Sequence, residues 1–207
     1  MFENACGNKS SAALELLNSK KALSKFYLAG GTALALQIGE RISYDLDFFS
    51  QYEFEPQKLL DSIKDIFKIQ RVEMTDGSLK LFTKEIEVSF FLYEYPLIFK
   101  KREYKNMYLA GIGDIALMKI IAIGNRGVRK DFYDLYFILK KYYSIKDLFN
   151  IFDKKFGVNT FNQFYYLKSL IYFDNADNDK GVINLVSSKV SWDEVKNFFM
   201  KEVKNIV

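Results

Sequence analysis

The chain has 207 residues, 49% of them hydrophobic and 17% aromatic, and a net charge of +4. That is enough apolar material for one compact domain or two small lobes, which excludes intrinsic disorder, and the mild positive charge permits an anionic partner such as a nucleotide or RNA without demanding one. There is no histidine and one cysteine, Cys6, which excludes Ser-His-Asp triads, imidazole or thiolate metal sites and an internal disulfide.

The start, MFENACGNKS, is polar and has no signal-peptide pattern. A first helix is expected over Ser11 to Lys25, with Ala13, Leu16 and Leu17 on its apolar side. Phe26 to Ala29 reads as a short strand entering a Gly30-Gly31 turn, and Thr32 to Ile38 as a helix that Thr32 is placed to cap. Tyr44 to Ser50 alternates, so Asp45 and Asp47 share one face of a strand and Leu46 and Phe48 the other. Pro56 opens a helix with an apolar stripe of Leu59, Leu60, Ile63, Ile66 and Phe67. Strands follow near Ile69 to Met74, Leu79 to Phe82 and Ile86 to Tyr93. Asp76-Gly77 marks a hairpin between the first two, and Tyr95-Pro96 closes the sheet region.

From Asp114 the pattern turns helical: one helix to Ile123, a break at Gly124, Asn125 and Gly127, and a second from Lys130 to Tyr142. Ser191 and Glu194 form a capping box for a last helix that buries Trp192, Val195, Phe198 and Phe199. No run approaches the roughly 18 to 20 apolar residues of a membrane span, so a cytoplasmic location is expected. The fold class expected is α+β, with a mixed sheet and helices over residues 1–108 and a helical lobe over 109–207.

The segment FYLAGGTALALQIGERISYDLDFF, Phe26 to Phe49, carries the chemistry. Without histidine or paired cysteines, carboxylates with a hard cation are the natural reagents. Glycines let backbone amides approach a phosphate, and the helix that follows adds a favourable dipole. Asp45 and Asp47 can clamp one or two Mg²⁺ ions against a triphosphate. Either half alone is common; the two together, with thirteen residues between Gly31 and Asp45, are far more specific. Lys119 is a cation on an otherwise apolar helix, which either reaches solvent or meets an anion, and Arg126, Arg129 and Lys130 add positive charge nearby.

A diglycine turn, a short helix and Asp-x-Asp resemble the signature of the polymerase-β-like nucleotidyltransferase superfamily. The closer resemblance is to the AbiEii/AbiGii toxin family, through GGTALAL, RISYDLDFF and ALMKIIAIGNRGVRKDFYDLYFIL (Ala116 to Leu139). It covers roughly Phe26 to Leu139. The resemblance implies site roles for Arg41 and Ser43, and makes Lys119 and Asp131 match residues implicated in that family's active site. It implies NTP-dependent nucleotidyl transfer, with Asp45 and Asp47 as Mg²⁺ ligands and Gly30, Gly31 and Thr32 at the phosphates. It also implies an RNA acceptor such as tRNA, with a protein hydroxyl as the nearest variant, and an antitoxin partner. The superfamily usually carries a third carboxylate on a later strand. Here Ser89 of Ile86-Glu87-Val88-Ser89-Phe90 stands at that position, and Glu87 lies two residues earlier on the same face. Either Glu87 substitutes, or the chain is a degenerate nucleotide- or partner-binding module of the same fold.

Overall fold

The structure, a computed structural model, describes residues 1–181, 183–186 and 189–206. It divides into two compact units, Met1–Gly111 and Ile112–Val207. The α+β class holds: a mixed sheet with helices in the first unit and helices throughout the second.

The first unit opens with α1 (Asn8–Asn18), β1 (Tyr27–Ala29), α2 (Gly30–Ile38), β2 (Leu46–Ser50) and α3 (Pro56–Ile63). It continues with β3 (Arg71–Thr75), β4 (Ser78–Phe82), β5 (Glu87–Leu92), β6 (Arg102–Tyr104) and β7 (Met107–Leu109). These strands form one sheet in the order β3-β4-β5-β2-β1-β7-β6. The β2–β5 and β1–β7 pairs are parallel, and the others are antiparallel. Gly77, at φ +77°, makes the β3–β4 turn, as the Asp76-Gly77 signal predicts.

Alternation gives the sheet two unlike faces. Leu28, Leu46, Phe48, Leu79, Leu81, Val88, Phe90 and Leu109 are buried. The Phe48 and Phe90 rings stack at 5.1 Å, while α2 packs on β1 and β2 and α3 on β4. The alternate positions read, across β1, β2, β5 and β4, as Ala29, Asp47, Ser89 and Lys80. Two residues further along, the same face carries Tyr27, Phe49 and Phe91, whose rings lie 5.4–6.1 Å apart in sequence across the strands.

Several local expectations are corrected. Strand β2 begins at Leu46, so Asp45 sits just before the ladder, its carbonyl taken by the Thr32 hydroxyl. Thr32 therefore does not cap α2. That helix starts at Gly30, behind Ala29, which has no capping side chain. The sheet does not end at Tyr95-Pro96: β6 and β7 form a further hairpin, and β7 joins β1 through a long-range parallel pairing that no local pattern announces. Gly124 and Asn125 lie inside α4 (Ile112–Asn125) rather than breaking it, and the Tyr166 ring packs so closely on Gly124 that a Cβ there has no room.

In the second unit α4 is followed by α5 (Arg129–Lys141), α6 (Ile145–Asn150), α7 (Phe152–Phe156), α8 (Gln163–Ser169), α9 (Asp174–Asn178) and α10 (Trp192–Lys204). The Ser191–Glu194 capping box is present, and a second one, Ser144 with Asp147, starts α6. Phe132 is surrounded by Phe173, Trp192 and Phe199, each within 5.6 Å between ring centres. A separate aromatic cluster joins Phe152, Phe156, Phe161 and Tyr166. Among the described residues, no helix is long and apolar enough to cross a membrane.

Candidate active site

Sequence dictates the turn at the head of α2. Gly30 has φ +63°, a conformation that costs an L-residue about 1–2 kcal/mol. It also has no space for a side chain: a Cβ there would lie 2.5 Å from Oδ2 of Asp47. Pairing of β1 with β2 sets this closeness, since Ala29 is opposite Asp47. Gly31 is confined from the other side. A Cβ on it would stand 2.5 Å from a guanidinium nitrogen of Arg41 and 2.8 Å from Oγ of Ser43. The two glycines thus serve different neighbours, one the carboxylate and one the Arg41–Ser43 segment.

That segment is held firmly. Gly39, at φ +72°, ends α2 in a left-handed cap and turns the chain back. Arg41 and Ser43 are buried although polar, and Arg41 donates to the carbonyl of Ile42 at 3.1 Å. Thr32, fully buried, donates to the Asp45 carbonyl and so fixes the residue just before β2. Asp45 and Asp47 are both half-buried. Oδ1 of Asp45 accepts from the Glu87 backbone N–H at 3.4 Å.

On the neighbouring strand, Ser89 is directly in register with Asp47 and almost wholly buried. Its hydroxyl donates to Oε1 of Glu87 at 3.0 Å. Lys80, in register with Ser89 on β4, stands 3.8 Å from the same Glu87 oxygen. The seat of the expected third acid is therefore a serine that turns toward a glutamate one pleat away. Among the described residues, no three acids gather closely enough to hold a metal ion between them. The donor set that remains is a pair of hard carboxylate oxygens. It fits Mg²⁺, which commonly takes one or two protein carboxylates and completes its shell with phosphates and water.

The structure brings Gly30, Gly31, Thr32, Arg41, Ser43, Asp45, Asp47 and Glu87 together in the first unit. Lys119 and Asp131 meet each other in the second. Lys119 Nζ lies 2.7 Å from Asp131 and 2.6 Å from Asp134, and all three side chains are buried. Arg126 adds a fork to Asp131, at 2.8 and 3.0 Å. Burial by itself would raise the Asp131 pKa, but the Lys119 and Arg126 charges outweigh it and hold the group well below the usual carboxylate range.

Sequence reasoning missed Lys80, because its approach to Glu87 follows from the β4–β5 register. It also missed Ser10, a buried hydroxyl that donates to the Tyr44 carbonyl. A second buried ion pair, Lys155 with Asp114 at 2.8 Å, likewise gave no local signal.

Comparisons with known proteins bear on the family and the fold. An uncharacterized protein of Aquifex aeolicus (strain VF5) is 37% identical over 201 residues, covering 93% of each chain. The crystal structure of JHP933 from Helicobacter pylori superposes with a TM-score of 0.53 at 19% identity, over 99% of this chain and 90% of that one. MenT4, a nucleotidyltransferase toxin of Mycobacterium tuberculosis, gives a TM-score of 0.55 at 13% identity, over 95% and 84%. At such identities the likeness is one of fold, and the fold is that of the nucleotidyltransferases. The sequence profile of the nucleotidyl transferase AbiEii toxins matches residues 14–202. The chain belongs to that family, the nucleotidyl transferase AbiEii toxins of type IV toxin–antitoxin systems.

Proposed function

We propose that the protein transfers a nucleotidyl group from an NTP to a hydroxyl, of an RNA such as tRNA or of a protein, in a Mg²⁺-dependent reaction. The observation that carries this reading is the contact of Gly30 with Asp47. The glycine turn and the carboxylate strand are one structure, so phosphates over the turn and a cation at the acids would be neighbours.

Asp45 and Asp47 would hold the metal, which when bound offsets phosphate charge and makes the α-phosphorus a better electrophile. The amides opening α2 meet the phosphates, with the helix dipole behind them. Arg41, pressed over Gly31, adds a buried cation to the same place. The acceptor oxygen attacks the α-phosphorus, the bond from that phosphorus to the β-phosphate oxygen breaks, and pyrophosphate leaves. Glu87, oriented by Ser89, takes the acceptor proton in this reading. Family membership supports an antitoxin as partner, and the cytoplasm is the place of action in this reading.

A second reading has one observation in its favour. Ser89 rather than an acid stands beside Asp47, which suits a module that binds a nucleotide or partner without turnover. Calorimetry with each NTP, with and without Mg²⁺, tests the shared part. Binding should require the metal and vanish in Asp45→Ala/Asp47→Ala. Pyrophosphate release then separates the two readings, and tight binding without release under any acceptor would leave the binding module.

A further inference from the structure

The first ten residues lie outside the part matched by the family profile, which begins at residue 14. In the structure they nonetheless wrap the segment that carries Arg41, Ser43 and Asp45. The Phe2 N–H donates to the Leu36 carbonyl at 2.8 Å, and its ring packs against Gly39, where a Cβ would come within 2.5 Å of it. Ser43 is held from both sides of its peptide. Its N–H donates to the Ala5 carbonyl and its carbonyl accepts from the Gly7 N–H, both at 3.0 Å. This is a one-residue parallel bridge centred on Cys6 and Ser43. The Ser10 hydroxyl donates to the carbonyl of Tyr44, and Gly7 lies so close to the Tyr44 ring that a Cβ would stand 2.6 Å away. Glu3 anchors the strap at its far side by accepting from the Tyr104 hydroxyl at 2.9 Å.

These contacts have a common target. Four consecutive features of the 39–45 segment, the Gly39 cap, both polar groups of the Ser43 peptide and the Tyr44 carbonyl, are each occupied by the strap. The segment lies outside the named strands, with single bridge positions at Arg41 and Ser43, the latter paired with Cys6. Without the strap, the Ser43 N–H and the Ser43 and Tyr44 carbonyls would lose the partners that residues 5–10 give them, leaving the stretch between the Gly39 cap and the Thr32-bound Asp45 carbonyl less restricted.

We infer that residues 2–10 form a strap that positions the nucleotide-binding segment Glu40–Asp45, with Ser10 and Gly7 as its positioning residues; the claim on affinity rests on the reading given under Proposed function. The strap touches no substrate. It acts by restricting where Arg41, Ser43 and Asp45 sit, so nucleotide affinity depends on residues that the family profile does not contain.

The test uses the full chain and two readouts, amide hydrogen exchange across residues 40–45 and calorimetric titration with each Mg²⁺-NTP. Ser10→Ala removes the hydroxyl donated to Tyr44. It should speed exchange in 40–45 and weaken nucleotide binding about tenfold, while exchange in β3–β4 and in α4–α5 stays as in the wild type. Ser10→Thr should restore both. Gly7→Pro suits the local angles (φ −56°, ψ 142° at Gly7, and φ −94°, ψ 128° at Cys6) but removes the N–H given to Ser43. Gly7→Ala shares its crowding against Tyr44 and keeps the N–H, so the excess effect of proline isolates that bond. Unchanged exchange in 40–45 overturns the strap. So does a loss of affinity that accompanies faster exchange throughout the chain, since that is ordinary destabilisation. If the wild type binds none of the four nucleotides, the nucleotide reading and the affinity claim fall together, and exchange alone decides whether the strap holds the segment.

Discussion

A methyl group at position 30 would meet the Asp47 carboxylate and sit on a backbone of positive φ. Gly30→Ala is therefore expected to cost about 1–2 kcal/mol in urea unfolding through backbone strain alone. It should also displace Asp47 and reduce Mg²⁺-NTP affinity in calorimetry beyond what the stability loss explains. Ser89 offers the converse experiment. Ser89→Asp places a third carboxylate in register with Asp47, in a buried position. Without metal, the like charges and the desolvation should lower stability by about 1–3 kcal/mol. With Mg²⁺ a thermal melt should recover more in this variant than in the wild type. A melt insensitive to Mg²⁺ in both proteins would place the metal elsewhere. Gly30, Gly31, Asp45 and Asp47 were readable as candidates because each half of the constellation is local in sequence. Lys80 and Ser10 were not, because a lysine on a strand or a serine in a polar leader becomes informative only once a distant register is known.

The helices α4 and α5 are joined by an ion cluster in addition to apolar packing. Lys119 sits between Asp131 and Asp134, with Arg126 outside. The sequence marked Lys119 as a cation on an apolar helix that either reaches water or meets an anion. The anions turn out to include two carboxylates of the next helix, spaced three residues apart and so on one side of it. Removing the Asp131 charge leaves Lys119 paired with Asp134 and deprives Arg126 of its fork. Asp131→Asn is expected to destabilise the protein by about 1–3 kcal/mol in denaturant titration, whereas Asp193→Asn at an exposed pair should change it by well under 1 kcal/mol. The helices themselves were legible from their apolar spacing and from the Ser191–Glu194 box. The β6–β7 hairpin was not. Its strands are three residues each, β6 lies within a basic stretch, and the partner of β7 is β1, nearly the whole unit away in sequence.

Across the whole molecule, the absence of histidine sets how stability responds to pH. No side chain ordinarily changes charge between about pH 5.5 and 8 except cysteine near the upper end, and burial first, with Glu3 helping, pushes the Cys6 thiol up to about 11. Stability followed by thermal melts should be nearly flat over that range. Below it the sign is set by Asp131. Its folded pKa lies under the unfolded value, so the stability it contributes is complete above about pH 4 and is lost as pH falls toward the folded value. Asp131→Asn should remove that part of the acid slope, leaving the slope due to other carboxylates. The broad α+β class was legible because strand and helix periodicities occupy separate halves of the chain.

The order of strands also has a consequence in time. The β3–β4 hairpin closes between neighbours in the chain and can form within microseconds. The pairing that sets Asp47 beside Ser89 joins β2 to β5 in parallel across the intervening α3, β3 and β4, and β1 waits longer still for β7. Closing such long loops comes late, because their entropy is lost before their contacts form. The carboxylate strand thus acquires its β5 neighbour only late in folding, and a chain caught partway would carry the hairpin without a formed site.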